Sequence, residues 1–316
     1  MARVVLLSSE WLGSEGARVV QEILSAAGAA IEWSEVACGA GPLSQDALRQ
    51  CREADAILKG PIATGERALP LSVELRRALG LWATVRPVRA LPHVPSRWPG
   101  LDLLCVRETS EDVYSGFEHT VTDGVFEAVK VTTRAASQRI ARFAYDLART
   151  QGRKKVSIVH KANIMKRADG LFLETARAVG NGYADIATDD IIVDALCMRL
   201  VRRPTDFDVL LLGNLFGDIV SDLCSGLAGG GVAATSASFG DGTPLFDDAG
   251  RGTADVEPIP MLRAALWMVR HLGDTAAADR IENALHAALE AGARPVGLGG
   301  TKDVVAMGDA ILSRLA

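Results

Sequence analysis

The chain has 316 residues, more than one simple core usually occupies, so one large domain or two closely joined ones are expected. Its formal net charge of −5 argues against nucleic acid or an anionic membrane as the main partner, although local arginine clusters can still hold anionic substrates. Five cysteines, widely spaced and without a CxxC pair, suit reduced core thiols in a cytoplasmic protein, and no apolar stretch approaches the ~18 residues of a membrane span.

In chain order, Val4–Leu7 reads as a buried strand rather than as a signal peptide, and Gly16–Gly28 as a helix ended by glycine. Ala54–Leu58 is a second buried strand, closed by the turn Gly60-Pro61. Leu101–Val106, Val156–Val159 and Val209–Leu212 are further strands, and Ala135–Arg149 is a helix of good length. Gly226–Gly231 and the turn signals from Gly240 to Asp255 form the only long irregular region, before a helix over Met261–Leu272. Short apolar runs alternating with helical patterns indicate an α/β protein with a partly parallel sheet. GxGxxG is absent, so a standard Rossmann motif has no support. With no repeat and no flexible linker, the two halves are expected to share one continuous architecture.

The chemistry begins with carboxylates. Asn214–Asp222 (NLFGDIVSD) sets Asp218 and Asp222 four apart, one turn along one face of a helix. Two such acids repel unless a cation lies between them, and oxygen ligands suit Mg²⁺ or Mn²⁺. A solvated helix face is the bland alternative, but the flanks are apolar. Asp194, amid Ile191, Ile192 and Val193, is a candidate third ligand. Arg76, Arg86 and Arg107 each adjoin strongly apolar sequence. Arginine grips carboxylates in a bidentate fork, although each of these taken singly also suits a structural ion pair. Lys161 follows the strand ending at His160, where a partly desolvated amine can shuttle protons. Tyr114 can supply a phenolic proton. A snorkelling lysine and a core tyrosine are the alternatives. His160 reads as a packing residue.

Together these segments resemble the β-decarboxylating dehydrogenases of the isocitrate/isopropylmalate dehydrogenase family, through nearly the whole chain. Leu69–Pro87 (LPLSVELRRALGLWATVRP) is similar to the family's substrate helix and first two arginines, and Arg107–His119 (RETSEDVYSGFEH) to its third arginine and catalytic tyrosine. Lys130–Ala148 is isocitrate-dehydrogenase-like, Val159–Lys166 (VHKANIMK) carries the family's lysine, and Val201–Asp222 includes the metal aspartates. The resemblance implies a two-domain α/β fold with a mixed central sheet. Residues 1–81 with 229–316 would form a dinucleotide-binding domain, and residues 82–228 a substrate, metal and dimer-interface domain. It implies a homodimer with shared active sites, to which Lys161 and Asp194 arrive from the partner subunit. It also implies NAD-linked, Mg²⁺- or Mn²⁺-dependent oxidative decarboxylation of a di- or tricarboxylate 2-hydroxy acid. Tyr114, Lys161 and Asp194 would be catalytic, and Asp194, Asp218 and Asp222 would hold the metal. Thr64, Ser72, Arg76, Arg86 and Arg107 would meet substrate, and Gly242, Asp247, Arg251, Asp255 and Glu257 the dinucleotide.

The sequence departs from the family in two places. Thr64 matches the isocitrate type, but Pro70 stands where a serine recognises isocitrate's extra carboxylate. Ser72 replaces the asparagine of isocitrate enzymes and the leucine of isopropylmalate enzymes, which leaves the substrate open. The adenosine loop, roughly HGSAPDIAGKGIANP in the family, is shortened within Phe246–Pro258 (FDDAGRGTADVEP), with Arg251 in place of its histidine and Glu257 in place of its asparagine. An acid at Asp255 favours NAD over NADP, whereas Arg251 favours the opposite. A homologue that binds metal and dicarboxylate but has lost dinucleotide use is the alternative.

Overall fold

The computed structural model describes residues 1–9, 14–39, 41–62, 70–230, 234–249 and 258–315. The chain divides into two compact units, Met1–Leu81 with Ala90–Pro99 and Ala228–Ala316, and Trp82–Arg89 with Gly100–Leu227. Residues 90–99, expected in the second unit, belong to the first. Leu91 is buried in that unit's core, and Arg294 donates to the His93 carbonyl at 2.8 Å.

The first unit opens with strand β1 (Ala2–Ser8), helix α1 (Ser14–Ala26), β2 (Ile31–Ala37), α2 (Gln45–Glu53), β3 (Ala56–Lys59) and α3 (Leu71–Ala78). β1 pairs in parallel with both β2 and β3, and its run Val4–Leu7 is buried throughout, as a strand covered on both faces must be. α1 turns Val19, Val20, Ile23 and Leu24 inward at helical spacing, and Gly28 just beyond takes a left-handed φ of 77°.

The second unit runs through β4 (Leu81–Arg89), β5 (Asp102–Glu108), the hairpin β6 (Glu118–Thr122) and β7 (Val125–Ala128), α4 (Arg134–Thr150), β8 (Lys155–His160), α5 (Ala168–Gly180), β9 (Ala187–Ile192), α6 (Val193–Arg202), β10 (Val209–Leu212) and α7 (Asn214–Ala228). β4 is antiparallel to β5, and β5, β10, β8 and β9 follow in parallel. The parallel register brings the carboxyl ends of β5, β8 and β10 to one edge, with Leu212 opposite Arg107, so the residues that follow each strand converge there. In the β4–β5 pair Arg86 lies opposite Cys105, two residues before Arg107, which puts both arginines on one face. The hairpin is exposed along its whole length.

The chain then completes the first unit with β11 (Thr235–Gly240), β12 (Leu245–Asp248), α8 (Pro258–His271), α9 (Thr275–Glu290) and α10 (Val304–Leu312). This corrects the irregular region expected over 226–231 and 240–255 at residues 226–228 and 245–248, while residues 231 and 250–255 lie outside the described residues. α7 runs to Ala228, and β12 pairs in parallel with β3 and antiparallel with β11. The reason is burial: Leu245 and Phe246 are fully enclosed, and two apolar residues suffice for a core strand despite the surrounding Gly, Pro and Asp. The four cysteines Cys38, Cys51, Cys105 and Cys224 are buried thiols, and Cys197 is a half-buried one. Among the described residues no helix is long and apolar enough to cross a membrane.

Phe246 tests the corrected assignment. Phe246→Ala is expected to lower stability by about 3–5 kcal/mol, read as a shifted urea-unfolding midpoint. A change of a few tenths would return residues 245–248 to the surface.

Candidate functional site

In the second unit, Arg107 leaves the end of β5 and lies against α7 almost without exposure. Its Nε and Nη2 donate to Asn214 Oδ1 at 2.9 and 2.6 Å, while Nη1 pairs with Asp218. Tyr114, on the short 3-10 turn Val113–Ser115, donates its hydroxyl to the other Asp218 oxygen at 2.6 Å, and its ring lies 5.1 Å from the guanidinium carbon. One helical turn further along, Asp222 pairs with Arg86 from β4. The sequence-derived candidates Arg86, Arg107, Tyr114, Asp218 and Asp222 therefore form one cluster.

α7 can approach Arg107 this closely because of Gly217. A Cβ there would stand 2.5 Å from Arg107 Cγ and 2.8 Å from its Cβ. Asn214, which sequence reasoning treated only as the start of the motif, also donates to the Glu111 carbonyl at 2.9 Å and so ties the Tyr114 segment to the helix. An asparagine opening a helix directly after a buried strand was the available signal.

Asp218 and Asp222 keep their outer sides toward solvent, with side chains 42% and 48% exposed. Burial pushes the Asp218 carboxyl upward, but the Arg107 charge, hydrogen bonds from Tyr114 and Arg107, and the Arg86 charge outweigh it and hold its pKa below the ordinary value. For Tyr114, burial and the bond to Asp218 raise the pKa against the lowering influence of Arg107, so the phenol keeps its proton. A half-exposed pair of carboxylates one turn apart fits a hard divalent cation.

Lys161 and Asp194 form a second pair in the same unit, with Asp194 mostly exposed. The Lys161 hydrogen bond lowers the Asp194 pKa. Among the described residues no three His, Cys, Asp or Glu side chains gather to hold a metal, so Asp194 does not join Asp218 and Asp222 within one chain. His160 accepts the Ala162 N–H on Nδ1 at 3.1 Å and meets Asp190 through Nε2 at 3.0 Å, an anchor for the segment that carries Lys161.

The remaining candidates lie in the first unit. Ser72 and Arg76 are one turn apart on α3. Ser72 donates to Asp247 at 2.7 Å, and Asp247 takes Lys59 Nζ at 2.8 Å, both ends of that ion pair being buried. Asp247 is therefore engaged inside the protein. At Gly242 a Cβ would meet the Leu79 carbonyl at 2.4 Å, a packing reason for glycine there. Thr64, Arg251, Asp255 and Glu257 lie outside the described residues.

The two glycines of α7 should respond in opposite directions. Gly217→Ala is expected to destabilise by about 1–3 kcal/mol through collision with Arg107. Gly226→Ala, with nothing within 4 Å of the added carbon, should stabilise by up to ~1 kcal/mol. Urea denaturation of both variants checks the pair, and equal effects would remove Gly217 as the residue that lets Arg107 in.

Comparison with known proteins agrees across the chain. The model of the isocitrate/isopropylmalate dehydrogenase family matches residues 3–311. The 3-isopropylmalate dehydrogenase of Archaeoglobus fulgidus is 39% identical, over 100% of both chains. Catalytic subunit 5 of the mitochondrial NAD isocitrate dehydrogenase of Arabidopsis thaliana is 38% identical, over 98% of this chain and 87% of that protein. The crystal structure of isocitrate dehydrogenase from Methylococcus capsulatus superposes with a TM-score of 0.93 at 34% identity, covering 100% of this chain and 99% of that one.

Proposed function

Since the chain belongs to the isocitrate/isopropylmalate dehydrogenase family, we propose that it catalyses the metal-dependent, NAD-linked oxidative decarboxylation of a 3-substituted malate in a homodimer. The observation that carries this reading is the cluster of Arg86, Arg107, Tyr114, Asp218 and Asp222. Two arginines matched to two aspartates make a charge-neutral site. A dianionic acid and one divalent cation can enter together without changing that balance, the acid taking the guanidinium groups and the cation the carboxylates.

Asp218 and Asp222 would hold the cation, with Asp194 of the partner subunit as the third ligand. Bound there, Mg²⁺ or Mn²⁺ supplies Lewis-acid polarisation of the C2 hydroxyl and its neighbouring carboxylate. Arg86 and Arg107 hold the substrate carboxylates in fixed orientation. The partner subunit's Lys161 would take the C2 hydroxyl proton, and NAD, when bound, would supply the hydride acceptor for C2. Tyr114 then gives its proton to C3 once the C3 carboxylate has left as CO₂. The shared site requires Lys161 to exchange Asp194 for the substrate hydroxyl.

Substrate choice falls on the C3 substituent. The Ser72 proton is committed to Asp247, so the hydroxyl offers lone pairs rather than a donor. Such a surface disfavours a third carboxylate and gives an isopropyl group nothing to pack on, which supports a malate- or tartrate-like acid. A second reading, metal and dicarboxylate binding without redox chemistry, draws on the shortened segment 246–258 and the engagement of Asp247.

NADH absorbance with Mn²⁺ and a panel of D-malate, tartrate, isocitrate, homoisocitrate and 3-alkylmalates is expected to rise for the small hydroxy acids and to vanish in Lys161→Ala. NADP run in parallel should give the weaker signal. Silence with every acid, in protein that still binds Mn²⁺ and a dicarboxylate, would establish the second reading instead. Asp222→Asn should weaken Mn²⁺ binding by ~10-fold or more, measured by titration calorimetry.

A further inference from the structure

Between the Tyr114–Asp218 cluster and the Lys161 segment lies a buried polar bridge that the reaction itself does not use. Lys130 Nζ stands 2.7 Å from Asp169 and 3.5 Å from Asp112, with both carboxylates almost fully enclosed. The ammonium also lies 4.8 Å from the centre of the Phe216 ring, on the first turn of α7. Asp169 uses its other oxygen to accept the backbone N–H of Lys161 at 2.6 Å. Asp112 accepts the N–H of Val113 at 2.8 Å, next to Tyr114, and the N–H of Leu215 at 3.1 Å, in the turn of α7 that leads to Asp218.

Asp112 provides an independent sign that this arrangement is over-determined. Its backbone sits at φ 74°, ψ −157°, a region suited to glycine and strained for a side-chain-bearing residue. The carboxylate's bonds to two backbone amides and its pairing with Lys130 hold it there. The cavity beside the bridge, bounded by Asp112, Lys130, Asp169 and Asn214 among others, has a volume of about 20 Å³, room for roughly one water.

We propose that Lys130 is a positioning residue, which through Asp112 and Asp169 fixes the Tyr114 turn, the start of α7 and the Lys161 backbone in one frame. The inference rests on the function proposed above, in which Tyr114 and Lys161 move protons. Because Lys161 serves the partner's site in that reading, one ammonium between two buried carboxylates sets geometry in both active sites of the dimer. Lys130 touches neither arginine in this arrangement, so it governs turnover and not substrate affinity.

The full-length protein is assayed with the acid that turns over best, comparing wild type, Lys130→Met, and Lys130→Met combined with Asp112→Asn and Asp169→Asn. The single variant strands two buried carboxylates and is expected to lose thermal stability. The triple variant removes both charges, yet its amide oxygens still accept the Val113, Leu215 and Lys161 N–H groups. It should recover stability while kcat stays ~10²-fold down, with KM and Mn²⁺ affinity within about threefold of wild type. If kcat returns with stability, Lys130 only balances charge and the proposal fails. If KM and Mn²⁺ affinity collapse together with kcat, the damage is general and the proposal also fails. A wild-type protein silent with the whole panel overturns the function itself, a result distinct from either.

Discussion

Arg107 is a cation held almost out of water at the end of a buried strand, and a guanidinium in that position needs acceptors within hydrogen-bonding reach. Both acceptors come from α7: Asn214 in its first turn and Asp218 one turn later. The helix must begin directly after β10, must face the strand at that register, and must carry glycine at 217, where a side chain would strike the arginine. Tyr114 joins because its turn is pinned to the same helix start by Asn214 and Asp112. The placement of the acid, the carboxylates and the carboxylate grip thus follows from one buried charge.

That constraint also fixes the electrostatic state of the site. Arg107 and Arg86 offset the mutual repulsion of the two aspartates, and their charges hold the Asp218 pKa below its ordinary value despite partial burial. Lys161 and Asp194 satisfy one another in the same way. Arg86 with Asp222, Arg107 with Asp218 and Lys161 with Asp194 are each matched, so these charges compensate one another in the folded chain.

Much of this was legible in the sequence, and the limits have physical causes. Val4–Leu7 and Val209–Leu212 are fully buried strands whose apolar runs admit little else, and the spacing of Asp218 and Asp222 reads directly as one helix face. β12 was missed because only Leu245 and Phe246 mark it, while the surrounding Gly, Pro and Asp are turn-like by local chemistry. The partner of Asp247 was also hidden. Lys59 and Asp247 are 188 positions apart, and only the parallel pairing of β3 with β12 brings them together. Asp112 could not be foreseen either, since a non-glycine residue at positive φ leaves no signature in composition or periodicity.

The first unit obeys the same rule of matched burial with a different consequence. Lys59 ends β3 with its ammonium enclosed, and the nearest anion in the sheet is Asp247 on the adjacent strand. Its carboxylate is held by Lys59 on one oxygen and by Ser72 on the other, so little of it is left for a ribose hydroxyl. The Ser72 contact instead ties the first turn of α3 to the sheet. With that turn fixed, the helical repeat sets Arg76 one turn beyond Ser72 on the same face. The buried Lys59–Asp247 pair thereby anchors α3 through Ser72, one turn before Arg76.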